Sequence, residues 1–142
     1  MSRVIKTVIT FGTFDLFHIG HLNILRRAKQ LGDRLIVGVS TDALNYSKKK
    51  KYPIYSQQDR LEIVSSITFV DGVFFEESLE KKVEYIRQFS ADILVMGDDW
   101  AGKFDFCEEQ TGCKVIYLAR TEGISSTMIK DNIKNIKQQN NT

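Results

Sequence analysis

Five short runs of β-branched and apolar residues, interleaved with stretches whose apolar positions recur at helical spacing, constrain this chain more than anything else in it. The runs are Val4 to Phe11, Arg34 to Val39, Val70 to Phe75, Ile93 to Met96 and Val115 to Leu118. Between them lie helical stripes: Leu22, Leu25, Ala28 and Leu31; Leu61, Ile63, Val64 and Ile67; Leu79, Val83, Ile86 and Phe89. A last stripe, Ile129, Ile133 and Ile136, follows the fifth run. Strands apolar on both sides, alternating with helices, predict a parallel sheet covered on both faces. The expected fold is therefore α/β: a single-domain, Rossmann-like, doubly wound five-stranded parallel sheet over residues 1–137, with a polar C-terminal tail at 138–142. In such sheets ligands bind beyond the carboxyl ends of the strands, where the strand order reverses. The segments after the strands are GTFDLFHIGH, STDALNYSKKKKYP, FEES, GDDWAGKFDF and ARTEGISST, all read here as loops or helix starts.

Composition narrows the setting. A chain of 142 residues with one proline has neither the length nor a linker for two domains. The net charge of +2, with basic residues in one run rather than in a stripe interleaved with aromatics, gives no support to nucleic-acid binding. No apolar run reaches the roughly 20 residues a membrane helix needs, and Met1-Ser2-Arg3-Val4-Ile5-Lys6 is unlike a secretion signal. A cytoplasmic protein is expected, with no membrane partner. Cys107 and Cys113 then read as two reduced structural thiols, and the residues around them offer no metal set.

The residues hardest to explain as packing lie in those strand-following segments. The only histidines, His18 and His21, are three apart around Ile19-Gly20 and directly follow the first strand. On a helix they share a face, at an N-terminus whose free N–H groups and macrodipole attract anions. Gly20 would let a ligand approach the backbone closely. Two imidazoles there suit charge building on a pentacoordinate phosphorus, while the plainer alternative is one surface and one capping histidine. Arg120-Thr121-Glu122-Gly123 and Ile124-Ser125-Ser126-Thr127 open the last helix, as N-caps or as a phosphate cradle. Lys48 to Lys51 form a run of four cations, solvated surface or a loop that closes over a triphosphate. Neither a Walker-type GxxxxGK[ST] nor a GxGxxG is present.

With these residues in view, the chain resembles the cytidylyltransferase-like nucleotidyltransferases, whose GTFDxxHxGH signature GTFDLFHIGH matches. VMGDDWAGKFDF (Val95 to Phe106) and RTEGISST (Arg120 to Thr127) narrow the resemblance to the glycerol-3-phosphate cytidylyltransferases, from about Val8 to Ile133. The resemblance implies transfer of CMP from CTP to glycerol 3-phosphate, giving CDP-glycerol for teichoic acids or capsular polysaccharides. It implies Mg²⁺ arriving with CTP, held mostly by phosphates with no metal site of the protein's own, and a homodimer. By position, His18, His21, Lys48 and Arg120 would be catalytic. Thr13, Phe14, Gly20, Lys50, Asp99, Trp100 and Arg120 through Thr127 would hold the nucleotide, with Asp98 close by. Lys48 and Lys82 would hold the acceptor phosphate.

The chain departs from that family at three places. The lysine run is one residue longer. Thr68-Phe69 stands before Val70-Asp71 where the family has Arg-Tyr, which removes a cation expected near the site, and Leu79 stands where it has Trp. Pro53-Ile54-Tyr55 with Asp59-Arg60-Leu61 also looks like adenylyltransferases of sugars or flavins, and Arg60 is expected to pair with an acid such as Asp71. ATP as donor, another polyol, sugar or alcohol phosphate as acceptor, and a catalytically silent nucleotide-binding module remain open alternatives.

Overall fold

The computed structural model describes residues 4–140, with side chains described as far as residue 136. Five parallel strands, β1 (Thr7–Gly12), β2 (Arg34–Ser40), β3 (Gly72–Glu76), β4 (Ile93–Gly97) and β5 (Lys114–Leu118), form one sheet in the order β3-β2-β1-β4-β5. The chain winds outward from β1 to β3, then returns past β1 to lay down β4 and β5. The order therefore reverses between β1 and β4, and the ligand crevice falls beyond Gly12 and Gly97.

Side chains alternating along each strand fill two cores. Val8, Leu35, Val37, Val39, Ile93 and Val95 meet Leu25 and Ala28 of α1 (Ile19–Gln30) and Val64 of α3 (Gln57–Ser65) on one face. Ile9, Phe11, Ile36, Leu94 and Met96 meet Val83 and Ile86 of α4 (Lys82–Gln88) and Cys107 of α5 (Phe106–Thr111) on the other. Burying each such side chain contributes about 1.5–3 kcal/mol, so the two cores are the main stabilising term of the sheet. Both cysteines are buried free thiols of the second core, as expected; burial pushes the Cys107 thiol up to about 11.

Three expectations are corrected. The lysine segment is not a loop: Thr41 Oγ1 accepts from Leu44 N–H and starts α2 (Asp42–Lys49), whose buried face is only Leu44 and Asn45. An eight-residue helix with so narrow a face carries little periodicity, although Thr-Asp at its start is a cap signal. The segment after β4 likewise folds into a 3-10 turn at Asp98–Trp100 and the six-residue α5. Third, α6 (Ser126–Asn140) continues three residues into the stretch read as a tail, while residues 1–3 and 141–142 lie outside the described residues.

Candidate active site

The loop joining β1 to α1 holds Phe14 and Leu16 at left-handed φ values of 56° and 49°, at a cost on the order of 1–3 kcal/mol each. Three anchors hold that strain. Phe14 is buried with its ring against Gly12, where an added Cβ would come within 2.8 Å of the ring edge. The buried Asp15 carboxylate accepts from the backbone N–H of Ile54 (2.7 Å) and Tyr55 (2.9 Å). The Asp15 carbonyl accepts from Ser126 Oγ at 2.6 Å, and Lys130 Nζ lies 3.6 Å from the carboxylate. The start of α6 is thereby tied to the start of α1, a link repeated by Asn23 Nδ2 donating to Thr121 Oγ1 at 3.2 Å.

Both histidines are committed on one nitrogen. Gly20 N–H donates to His18 Nδ1 at 3.0 Å, and His18 N–H donates to His21 Nδ1 at 3.2 Å, a reciprocal box closing the first turn of α1. An Nδ1 that accepts carries no proton, so each neutral ring bears its hydrogen on Nε2. The rings stack with centroids 3.9 Å apart, and His21 also meets Phe14 and Phe17. Burial, then the neighbouring His18, push His21 down to about 4 against the opposing pull of Asp15; burial also lowers His18. Two neutral Nε2–H donors therefore stand at a helix N-terminus at neutral pH. The capping and functional readings of these histidines are one arrangement. At Gly20 an added Cβ would come within 2.8 Å of His18 Cε1 and 2.9 Å of its Nδ1, so the missing side chain leaves room for the imidazole.

Behind this loop Arg60, fully buried, fastens the ends of β1 and β2 together. Its guanidinium donates to the carbonyls of Thr13 (2.8 Å), Ser40 (2.8 Å) and Tyr55 (3.0 Å) and to Asp42 Oδ1 (2.7 Å). The expected partner Asp71 lies instead at the amino end of β3, where it accepts from Lys29 Nζ (2.7 Å) and Leu35 N–H (2.8 Å). Arg60 lies in the first turn of α3, and the five remaining residues of that helix, about 8 Å, run from it toward that end of the sheet. Thr68 lies in the turn that leads into β3, at that same amino end. Thr13 Oγ1 donates to Asn45 Oδ1 at 2.8 Å, and Asn45, buried, donates in turn to the Thr41 carbonyl at 3.0 Å.

The lysines divide sharply. Lys48, in the last turn of α2, is half-buried with its ammonium 6.0 Å from the Trp100 ring centroid, and burial lowers its pKa against the pull of Glu76. Lys50 is the exposed left-handed C-cap of α2, beside the ring of Tyr46. Lys82 is wholly buried: its Nζ is 2.6 Å from Glu76 Oε2 and 3.9 Å and 4.6 Å from the ring centroids of Phe11 and Phe104. At the ends of β4 and β5, Asp99 and Arg120 form an exposed ion pair at 2.7 Å. Ile124 approaches Gly20, Ser125 Oγ accepts from Met128 N–H to cap α6, and Glu122, Gly123 and Thr127 are exposed.

The fold thus gathers Thr13, Phe14, His18, Gly20, His21, Thr121, Ile124 and Ser126 around the β1 and β5 ends, with Lys48 and Trp100 adjoining. Lys50 follows α2 as its exposed C-cap, beside Tyr46. Sequence reasoning passed over Asp15, Asn45 and Glu76, which serve as anchors rather than contacts. For Glu76 the available signal is an acid at the carboxyl end of the third apolar run.

A family model described as cytidylyltransferase-like matches residues 9–132. The chain is 52% identical over 128 residues to a glycerol-3-phosphate cytidylyltransferase of Bacillus subtilis strain 168, covering 90% of this chain and 97% of that protein. It is 48% identical over 128 residues to the protein of the same name from Staphylococcus aureus, covering 90% and 95%. Among solved structures it is similar to a lipopolysaccharide core biosynthesis protein from Thermoplasma volcanium GSS1, with a TM-score of 0.67, 28% identity, and coverage of 83% of this chain and 98% of that one.

Proposed function

The chain belongs to the cytidylyltransferase-like family, and from that premise we propose that it is a glycerol-3-phosphate cytidylyltransferase, moving CMP from CTP to glycerol 3-phosphate with release of pyrophosphate. An oxygen of the acceptor phosphate attacks the α-phosphorus of CTP in line. The bond to the oxygen bridging the α- and β-phosphorus breaks, and pyrophosphate leaves on the opposite side. No enzyme nucleophile enters, so the work is positioning and charge stabilisation.

The observation that carries the reading is the histidine pair with both Nδ1 atoms bonded to backbone N–H groups, which leaves the proton of each neutral ring on Nε2 at the amino end of α1. The two Nε2–H groups donate to the charge that builds on the reacting phosphate without gaining or losing a proton themselves. The amino ends of α1 and α6, joined through Ser126 and Asp15, add backbone donors for the phosphate chain. Arg120, steadied by Asp99, and Trp100 bracket the nucleotide, while Lys48 receives the acceptor phosphate.

Mg²⁺ accompanies CTP and screens its phosphates. The described residues hold no group of three or more His, Cys, Asp or Glu side chains able to cage an ion. An ion carried by the triphosphate needs only one or two carboxylates, and the exposed Asp98 at the end of β4 suits that part. The resemblance supports a cytoplasmic homodimer. No helix among the described residues is long and apolar enough to cross a membrane.

The test is pyrophosphate release with Mg²⁺ and CTP or ATP across glycerol 3-phosphate, glycerol 2-phosphate, pentitol phosphates, ethanolamine phosphate and choline phosphate. Release with CTP and glycerol 3-phosphate alone is expected. A preference for ATP would overturn the nucleotide assignment. Release with another acceptor would keep the mechanism and point to Leu79, in the turn leading to Lys82, as the selecting position.

A further inference from the structure

Glu76 is the most deeply buried carboxylate near the crevice, and nothing in the transfer chemistry above uses it. It ends β3 with 1% of its surface exposed, accepts from Lys82 Nζ at 2.6 Å through one oxygen and from Ser40 Oγ at 3.2 Å through the other. Its own carbonyl accepts from Thr41 N–H, the cap of α2, which carries Lys48. One residue thus serves both lysines: its carboxylate holds Lys82, and its backbone carbonyl holds the start of the helix that carries Lys48. A buried ion pair is weak evidence for stability, since an apolar pair of like volume often does as well; a retained one calls for another explanation.

We propose that Glu76 is the positioning residue of the acceptor pocket, holding Lys82 as a fixed ammonium beneath Lys48 so that the acceptor phosphate meets two cations. This rests on the transferase reading above. Lys82 lies between two phenyl rings in a dry core, where the ammonium is disfavoured relative to the neutral amine unless an anion stands beside it. The charged and titratable groups facing it are Glu76 on β3, Lys48 on α2 and the Cys107 thiol on α5. Lys48 repels a second cation, and burial holds the thiol up near 11, neutral in the working range. Glu76 is the one neighbour among these that keeps Lys82 charged, and it also lowers the net charge of the empty pocket, so that an approaching dianion displaces no other counter-ion.

The experiment compares KM for glycerol 3-phosphate at pH 7.5 and pH 9.0 in wild type, Glu76→Gln and Glu76→Asp. Glu76→Gln is expected to raise the acceptor KM at pH 9.0 about tenfold more than at pH 7.5, relative to wild type, and to leave KM for CTP within twofold. Glu76→Asp restores the wild-type pH profile. A Glu76→Gln profile parallel to wild type, or equal losses for both substrates, would overturn the proposal. If Glu76→Gln yields no folded protein, Glu76→Gln with Lys82→Met removes both charges together; an acceptor KM at least tenfold above wild type supports the proposal and an unchanged one overturns it. Wild-type turnover is read first. Its absence with glycerol 3-phosphate sinks the glycerol 3-phosphate assignment and this inference with it, whereas normal wild-type turnover with an unaltered Glu76→Gln profile sinks the inference alone.

Discussion

The two sides of the crevice handle anionic substrates by opposite means. On the β1–α1 side the donors are neutral: His18 and His21 are each tied through Nδ1 to a backbone N–H, and burial keeps His21 uncharged down to about pH 4. On the β2–β3 side the donors are full cations: Lys48 is half-buried at the end of α2, and the buried Lys82 is given the carboxylate of Glu76. Fixed dipoles do not need to reorganise when charge moves during the transfer, which suits the reacting phosphorus. Whole charges attract a dianion from solution, which suits binding of the acceptor. The comparison assigns kcat to one side and the acceptor KM to the other.

The largest expected effect breaks the neutral side. His18→Ala and His21→Ala should each lower kcat by about 10²–10³ with a much smaller change in either KM, the range found when a preorganised donor is removed. Steady-state kinetics on folded protein check this, and near wild-type kcat in either variant would end the assignment.

Next in size is Arg60→Ala. It leaves Asp42 and three carbonyls without their shared donor in a site with no exposed guanidinium surface, and should cost about 3–5 kcal/mol, read as a large fall in Tm. This residue shows where the sequence stopped being legible. The five strands could be read because each is a continuous apolar run, and the histidine spacing showed a shared helical face. The partner of Arg60 could not, because choosing Asp42 over Asp71 depends on which end of a sheet each acid reaches, and periodicity carries no such information. The same holds for Thr68, read as near the site and found at the amino end of β3. The short helices α2 and α5 escaped notice because each buries too few residues to leave a stripe. That Gly20 makes room for His18 is legible only in the structure.

A third prediction concerns pH. His21 binds its proton far less readily in the folded chain, about 4 against an ordinary 6.5, so the unfolded state takes up more protons between those values. Stability is therefore complete above pH 6.5 and lost as pH falls toward 4, by about 3 kcal/mol from this group. Denaturant unfolding between pH 4 and 7 measures it, and His21→Ala should flatten the acid slope by about that amount.

The smallest effect separates two lysines in one run. Lys48→Ala should raise the acceptor KM about tenfold, because a half-buried ammonium beside Trp100 is lost. Lys50→Ala, at the exposed C-cap of α2, should stay within about threefold on both substrates, in line with the modest worth of exposed charges. Equal effects would mean that the run closes over substrate as a unit, contrary to its helical placement.

The most direct test of the neutral histidine pair is nitrogen NMR of the two imidazoles in uniformly labelled protein at pH 7, with and without CTP. The account predicts that both rings are neutral in the free protein, with the proton on Nε2 and a bare, hydrogen-bonded Nδ1. A protonated Nδ1 on either ring, as the other tautomer or as imidazolium, would contradict it.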